Sequence, residues 1–501
     1  MLRLHHNASP ANTQTLVLFA YQNDKKTNCD LKGTGFTAVG SKIKGDVGAK
    51  GTTFFRSADV EGFENVLVIG LGEKKKVTEN SLRTASAQAI RVLKKEKVVS
   101  AAFAIQTVRA LTKNAEGAGR AITEGILLAG YKYDALKSKK KEEEEVKDLK
   151  DVFLVLQDKA SGKKFGQGVE LGRILAECTN FARDLGNAPS NYLTPELFAL
   201  KVKMAVKDTA VKFRALDKKQ IEALKMGCFL GVNKGSDDEP RLLTLEYNGG
   251  KKGAKPFVLV GKGVTFDTGG ISIKPSAGME EMKFDMCGGA AVCGALLAIA
   301  KLKLKINAVA IVPATDNMPS GHAIKPGDVL VAMNGKTVEV NNTDAEGRLL
   351  LCDALVYACK EYSPAVIVDA ATLTGACVVA LGNVFSGFFC KDKNLIKKIE
   401  GASELSGERL WQLPLVDEYV DDMKGTYADL SNMGASKGGG SSQAAAFLSQ
   451  FVDEGIPWAH FDIAGAAYNT GSRYPINPDK GASGAAVRLF TQMALDFAGR
   501  S

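Results

Sequence analysis

Two clusters of acidic and basic residues in this 501-residue chain have the types and spacing that chemistry needs. One is Asn342-Thr343-Asp344-Ala345-Glu346-Gly347-Arg348-Leu349, which sets two carboxylates and a guanidinium at every second position ahead of an apolar run. The other lies upstream and holds Lys262, Asp267, Lys274 and Asp285. Taken singly, most of these residues have an ordinary structural use. Thr343 and Glu346 fit a capping box before Leu349-Leu350-Leu351. Asp285 suits a helix N-cap, Asp267 a turn in a Gly-rich connection, and Lys274 a snorkelling side chain. Asp344 and Arg348 are left without such a use.

Brought together, the two clusters change meaning. Asp267, Asp285, Asp344 and Glu346 would crowd four negative charges, and like charges in a water-poor site raise one another's pKa values. Divalent cations remove that repulsion. A carboxylate set without cysteine or histidine describes a hard, oxygen-rich site, and His5, His6, His322 and His460 all lie outside both clusters. Two metals ~3.5–4 Å apart would hold a bridging water, lower its pKa and polarise a scissile carbonyl. Lys262 can join the ligands only when neutral. Lys274 can face a developing oxyanion. A nucleotide site fits poorly: Gly261-Lys262-Gly263 lacks the third glycine of a dinucleotide fingerprint, and Gly335-Lys336-Thr337 lacks the earlier glycine of a phosphate loop.

Strand and helix signals alternate along the chain. In the first ~160 residues, the runs 15–21, 65–72, 100–106 and 151–157 read as strands, and 81–97 and 115–131 as helices. The charge-dense segment 137–150 reads as solvated surface. A helix over 168–184 connects to the remainder, followed by a helix over 195–206 with Thr194 as N-cap and Pro195 at its first position. Beyond it, strands are predicted at 256–261, 306–313 and 365–369, helices at 288–302 and 347–362, and a hairpin around Asn334-Gly335. The expected fold class is α/β with two domains: a smaller N-terminal α/β domain over 1–165 and a larger catalytic α/β domain over 166–501. The latter has a doubly wound mixed sheet, with ligands beyond the carboxyl ends of its strands.

Composition narrows the class. Hydrophobic residues make up 45% and charged residues 24%, ordinary for a globular protein. No apolar run approaches the ~20 residues of a membrane span, and the first one, 15–21, is too short for a signal-peptide core. Nine cysteines without a C-x-x-C pair fit buried, reduced thiols. These features predict a cytoplasmic protein without a membrane partner. The net charge of +9 reads as solvated lysine tracts, with nucleic-acid binding as the sharper alternative.

At these residues the chain resembles the leucine aminopeptidase family, also called the cytosol aminopeptidases. The octapeptide 342–349 is similar to the family signature, and Lys262-Gly-Val-Thr-Phe-Asp267, Ser272-Ile-Lys274, Asp285-Met-Cys-Gly-Gly, 369–376 and 458–465 follow in family order. Thr268 departs mildly, since many relatives carry Ser. The resemblance runs from about residue 168 to the C-terminus. It implies an exopeptidase with two divalent ions, zinc or manganese favoured over magnesium or cobalt. Asp267, Asp344 and Glu346 would hold one ion. Lys262, Asp267, Asp285 and Glu346 would hold the other. Lys274 would stabilise the gem-diolate oxygen, and Arg348 would hold a bicarbonate acting as base. Met282, Thr372, Leu373 and Gly375, with Lys274, would meet the substrate, a peptide with a free N-terminus bearing leucine or another large apolar residue. The resemblance also implies a homohexamer. Two other readings stand beside it: a DNA-binding regulatory protein on the same scaffold, and two-metal phosphoester hydrolysis.

Overall fold

A computed structural model describes residues 2–6, 13–22, 48–60, 63–105, 114–138, 148–156 and 159–499. Cys29 and most of the lysine-glutamate tract inside 137–150 lie outside the described residues. The chain forms two compact units, Met1–Glu177 with Gly471–Pro478, and Cys178–Thr470 with Asp479–Ser501.

The first unit is built on a six-stranded sheet in the order Arg3–His6, Asp151–Val155, Ser100–Ala104, Thr15–Gln22, Phe63–Glu73, Thr53–Val60. All neighbours pair in parallel except the last two strands. The helix Glu79–Lys95 buries Leu82, Ala85, Ala89, Ile90 and Leu93 at helical spacing, and Thr78 with Ser81 caps its start. The helix Lys159–Asn187 begins well before the 168 that its apolar pattern suggests. Its first turns are lysine- and glycine-rich, so periodicity is silent there. Phe165 is nonetheless buried and anchors them in the core of this unit.

The second unit carries a nine-stranded mixed sheet. Its main order is Leu410–Gln412, Ser386–Cys390, Trp458–Asp462, Val366–Ala371, Phe257–Gly261, Asn307–Asn317, Arg241–Asn248, Val211–Leu216, and Gly263–Asp267 pairs with Asn307–Asn317. The central strands Trp458–Asp462, Val366–Ala371, Phe257–Gly261 and Asn307–Asn317 run parallel. Their residues are apolar on both sides because both faces are covered. Val258, Val260, Val309, Ile311 and Ile367 share one core with the helix Gly347–Tyr362. On the helix Cys287–Lys301, a methyl carbon at Gly289 would stand 2.7 Å from Val312 Cγ1, and one at Gly288 would stand 2.1 Å from the Ala370 carbonyl. Small residues there let the helix lie against the sheet. Each unit has the expected α/β architecture, and the larger one is built on the expected mixed sheet.

Two local expectations are corrected. The capping box at Thr343 and Glu346 does not form: the helix starts at Gly347 with Glu346 as N-cap and no side-chain cap bond. Thr343 instead donates to the Gly269 carbonyl at 2.6 Å and accepts from the Ser272 amide at 2.8 Å. A buried hydroxyl takes the partners tertiary packing brings, and here these lie on the upstream cluster. Asp285 is likewise not an N-cap, since Met286 occupies that position. The hairpin around Asn334-Gly335 forms as expected, with Val331 paired to Thr337 and the Ala332 amide donating to the Lys336 carbonyl at 2.8 Å. One stretch, Met279–Lys301, does reach membrane-span length and apolarity, yet it is 89% buried inside the fold.

Candidate functional site

The sheet brings the two clusters together at the carboxyl ends of its parallel strands. Lys262 follows the strand ending at Gly261, Asp267 ends its own strand, and Thr372 follows the strand ending at Ala371. Open α/β sheets present their loops and ligands at that edge. The loop after strand Thr337–Val340 supplies Asp344 and Glu346, and the segment Met279–Met286 supplies Asp285.

Lys262 Nζ lies 2.6 Å from Asp285 Oδ2, 2.8 Å from Glu346 Oε1 and 3.1 Å from the Thr372 carbonyl. Lys274 Nζ lies 2.8 Å from Asp267 Oδ2 and also pairs with Asp344. The other oxygen of Asp267 accepts from the Gly269 amide at 2.9 Å and from Asn317 Nδ2 at 2.8 Å. Thr372 Oγ1 donates to Asp285 Oδ1 at 2.7 Å. Lys262, Asp267, Asp285, Glu346 and Arg348 are all buried.

The electrostatics are those of an overcrowded acidic site. Burial pushes Glu346 up to about 8, and Asp267 adds to the push against the pull of Lys262. Burial pushes Asp285 up to about 6, partly offset by Lys262. Asp344 is raised by burial and by Asp267. Burial disfavours the Lys262 ammonium, yet Asp285, Glu346 and Asp267 together hold it above the usual lysine range. Burial pulls Arg348 down to about 10, which leaves it charged at neutral pH.

Asp285 Oδ2 and Glu346 Oε1 both meet the Lys262 ammonium, and Asp344 Oδ1 meets that of Lys274. Two ammonium groups thus serve four carboxylates, an excess of negative charge that divalent cations would neutralise. Asp267, Asp344 and Glu346 each offer an oxygen within 4.8 Å of the others. The donor set therefore fits hard divalent cations. Arg348 Nη1 donates to the Asn432 carbonyl at 2.7 Å, and its Nε is buried without a partner.

Of the substrate-facing candidates, Thr372 is buried and engaged with Asp285 and Lys262. Met282 and Leu373 are half-buried, and a side chain built at exposed Gly375 would meet nothing. Sequence reasoning missed Asn317, which holds both Asp267 and the Thr343 carbonyl. Its place at the carboxyl end of a buried parallel strand was the available signal. It also missed Gly347, where a methyl carbon would stand 2.6 Å from Lys262 Cε, and Asn432, which no local pattern marks.

Fold and site together define an enzyme of the α/β class with an oxygen-rich centre at its sheet edge. Comparison with known proteins makes this specific. Residues 180–491 match the catalytic domain of the cytosol aminopeptidase family, and residues 36–140 match that family's N-terminal domain. A probable cytosol aminopeptidase of Bdellovibrio bacteriovorus is 51% identical over 447 residues, covering 89% of this chain and 88% of the relative. One from Paraburkholderia xenovorans is 44% identical over 454 residues, covering 90% and 87%. Among solved structures, the bottromycin maturation enzyme BotP in complex with Mn superposes with a TM-score of 0.83 at 31% identity, covering 97% of this chain and 100% of that one. A mutant of tomato leucine aminopeptidase gives 0.84 at 29% identity, covering 99% and 97%. The chain belongs to the cytosol aminopeptidase family. It is a peptidase of the leucyl aminopeptidase type, as its signature resemblance implies.

Proposed function

We propose that the protein releases N-terminal residues, with leucine and other large apolar side chains preferred, by a mechanism that depends on two divalent ions. The observation carrying this is the gathering of Asp267, Asp344 and Glu346, whose oxygens lie within 4.8 Å of one another at the carboxyl edge of the sheet. Asp267, Asp344 and Glu346 would hold one ion, and Lys262, Asp267, Asp285 and Glu346 the other. When bound, the ions would polarise the scissile carbonyl and lower the pKa of the attacking water. Manganese or zinc is the favoured pair, with magnesium and cobalt also compatible. The Mn complex of the related BotP supports manganese.

The chain's own residues do the rest. Lys274, less buried than Lys262, stands where its ammonium can neutralise charge developing on the carbonyl oxygen. Arg348 offers a charged guanidinium with an unpartnered Nε, suited to a bicarbonate that accepts the water's proton. Met282, Leu373 and open Gly375 are placed to line the subsite for the first side chain, while Thr372 chiefly holds Asp285 and Lys262 in position. The division near residue 165 into N-terminal and catalytic domains belongs to this reading. It is supported by the family matches at 36–140 and 180–491. A location in the cytosol is in keeping with the names of the relatives, and the homohexamer rests on the family resemblance alone. The family match favours peptide hydrolysis over phosphoester hydrolysis, and neither it nor the relatives' names lend support to a DNA-binding role.

The test is turnover of leucine amide with and without exhaustive chelation, with metal content measured in parallel. Activity is expected to vanish with the ions and return with Mn²⁺ or Zn²⁺. Glu346→Gln is expected to remain folded, bind metal weakly and lose turnover. Full activity in a metal-free preparation defeats the two-ion reading.

A further inference from the structure

Asp344 and Glu346 lie on a loop without secondary structure of its own, between the strand Thr337–Val340 and the helix Gly347–Tyr362. Something else must fix the spacing of these carboxylates. Thr343 ties one side of the loop to the upstream cluster, and on the other side a single side chain makes four hydrogen bonds to its backbone. Asn432 follows the short strand Leu430–Ser431, whose parallel register with Val338 and Glu339 carries it alongside the start of the loop. Its amide N–H continues that ladder by donating to the Glu339 carbonyl at 2.9 Å.

The side chain then takes over from the ladder. Asn432 Oδ1 accepts from the Asn341 amide at 2.8 Å and the Asn342 amide at 3.3 Å. Asn432 Nδ2 donates to the Asn342 carbonyl at 2.7 Å and the Ala345 carbonyl at 3.3 Å. Every donor and acceptor site of one carboxamide is thereby used, and only this orientation of the amide matches two N–H groups on one side and two carbonyls on the other. Ala345 sits directly between Asp344 and Glu346. The Asn432 backbone carbonyl meanwhile receives Arg348 Nη1 at 2.7 Å. The residue is fully buried.

We propose that Asn432 is a positioning residue: one carboxamide and one carbonyl fix the carboxylates of Asp344 and Glu346 relative to the guanidinium of Arg348. It touches neither the carboxylates nor substrate. It acts by holding the backbone that presents them. This rests on the two-ion reading of the site. Partners behind metal ligands typically change metal affinity or activity by about 10–100-fold when removed.

The experiment uses the full-length protein with Asn432→Ala, which removes all four side-chain bonds, and Asn432→Asp, which is nearly isosteric but keeps only acceptors. Three readouts are taken: amide hydrogen exchange of the metal-free protein, Mn²⁺ affinity by chelator competition, and kcat and KM on leucine p-nitroanilide at saturating Mn²⁺. For Asn432→Ala, exchange over 341–348 is expected to accelerate by at least about tenfold while 307–317 is unchanged. Mn²⁺ should bind about 10–100-fold more weakly, and kcat should fall with KM nearly constant. Asn432→Asp should share these changes in milder form, and it carries the comparison alone should the alanine variant not fold. Wild-type exchange over 341–348 together with wild-type Mn²⁺ affinity overturns the proposal. Faster exchange spread evenly over the larger unit also overturns it, because that marks general destabilisation. Should the wild-type protein itself bind no Mn²⁺, the two-ion reading fails, and the exchange pattern still decides the part played by Asn432.

Discussion

Replacing Gly347 by alanine tests the close approach on which the placement of Lys262 depends. Gly347 is the first residue of the helix that follows the acidic loop, and a methyl carbon there would stand 2.6 Å from Lys262 Cε, 2.8 Å from Lys262 Nζ and 3.0 Å from Leu373 Cδ1. Ordinary contact begins near 3.4 Å. Lys262 cannot simply swing aside, because Asp285, Glu346 and the Thr372 carbonyl surround its ammonium. Either Lys262 or the Glu346 end of the loop must yield by close to ~1 Å, and a misplacement of that size costs about 100-fold in rate, equivalent to ~2.7 kcal/mol of transition-state stabilisation. Overpacking of this kind costs about 1–3 kcal/mol of stability, of which alanine's helix preference offsets up to ~1 kcal/mol, so the fold should persist with a modestly lower midpoint. The assay is kcat/KM on leucine p-nitroanilide at saturating Mn²⁺, with bound metal and the thermal midpoint followed in the same preparations. A loss of about two orders of magnitude in the folded protein, with only a modest fall in the midpoint, is expected. Activity within about threefold of wild type would show that Lys262 needs no such close approach, and the placement of the second ion would have to be abandoned.

Proton linkage gives a second prediction. Glu346 and Asp285 are pushed up to about 8 and about 6 in the folded, metal-free protein, chiefly by burial. Folding therefore retains protons on them that the unfolded chain releases near its ordinary carboxylate values. Between those values and pH 8 the folded state binds more protons, so the metal-free protein should lose stability as pH rises through this window. Ion binding needs the carboxylates ionised, so Mn²⁺ affinity should rise from pH 6 to 8; a flat affinity profile by chelator competition would contradict the crowded-carboxylate picture. Thr343→Val keeps the shape but strands the Gly269 carbonyl and the Ser272 amide, and should lower stability by about 2 kcal/mol, seen as a lower thermal midpoint of the metal-free protein. Asp353→Ala should be equally damaging although far from the chemistry. Its carboxylate accepts from the Phe229 amide at 2.9 Å and the Met333 amide at 2.7 Å, and the readout is loss of thermal midpoint with kcat preserved in the folded fraction.

Much of this protein was legible in the residues. The helix Pro195–Val206 with its Thr194 cap appears as expected, because a cap and an N1 proline act within one turn. The apolar strands Phe257–Gly261 and Val366–Ala371 were equally readable, since full burial writes itself as a continuous hydrophobic run. The eight described cysteines are buried and free, in line with the absence of paired spacing. The misreadings share one cause. Thr343 matched a capping box, yet its hydroxyl bonds to Gly269 and Ser272, about seventy residues upstream. A local rule cannot see a competing partner that distant.

By itself the sequence determined the carboxylates and cations of the site, their order along the chain, and the alternation of strands and helices that makes an α/β sheet. Those properties follow from residue chemistry and from periods of two and 3.6, which are local. Only the tertiary structure decided which carboxylates each ammonium meets, that Gly347 must lack a side chain for Lys262 to reach Asp285 and Glu346, and that Asn317 and Asn432 hold the ligand-bearing segments. Asn432 lies some ninety residues from Asn342, and nothing in their separate neighbourhoods links them. Pairing between strands joins them in space, and hydrogen bonds across such distances form only after the chain has folded.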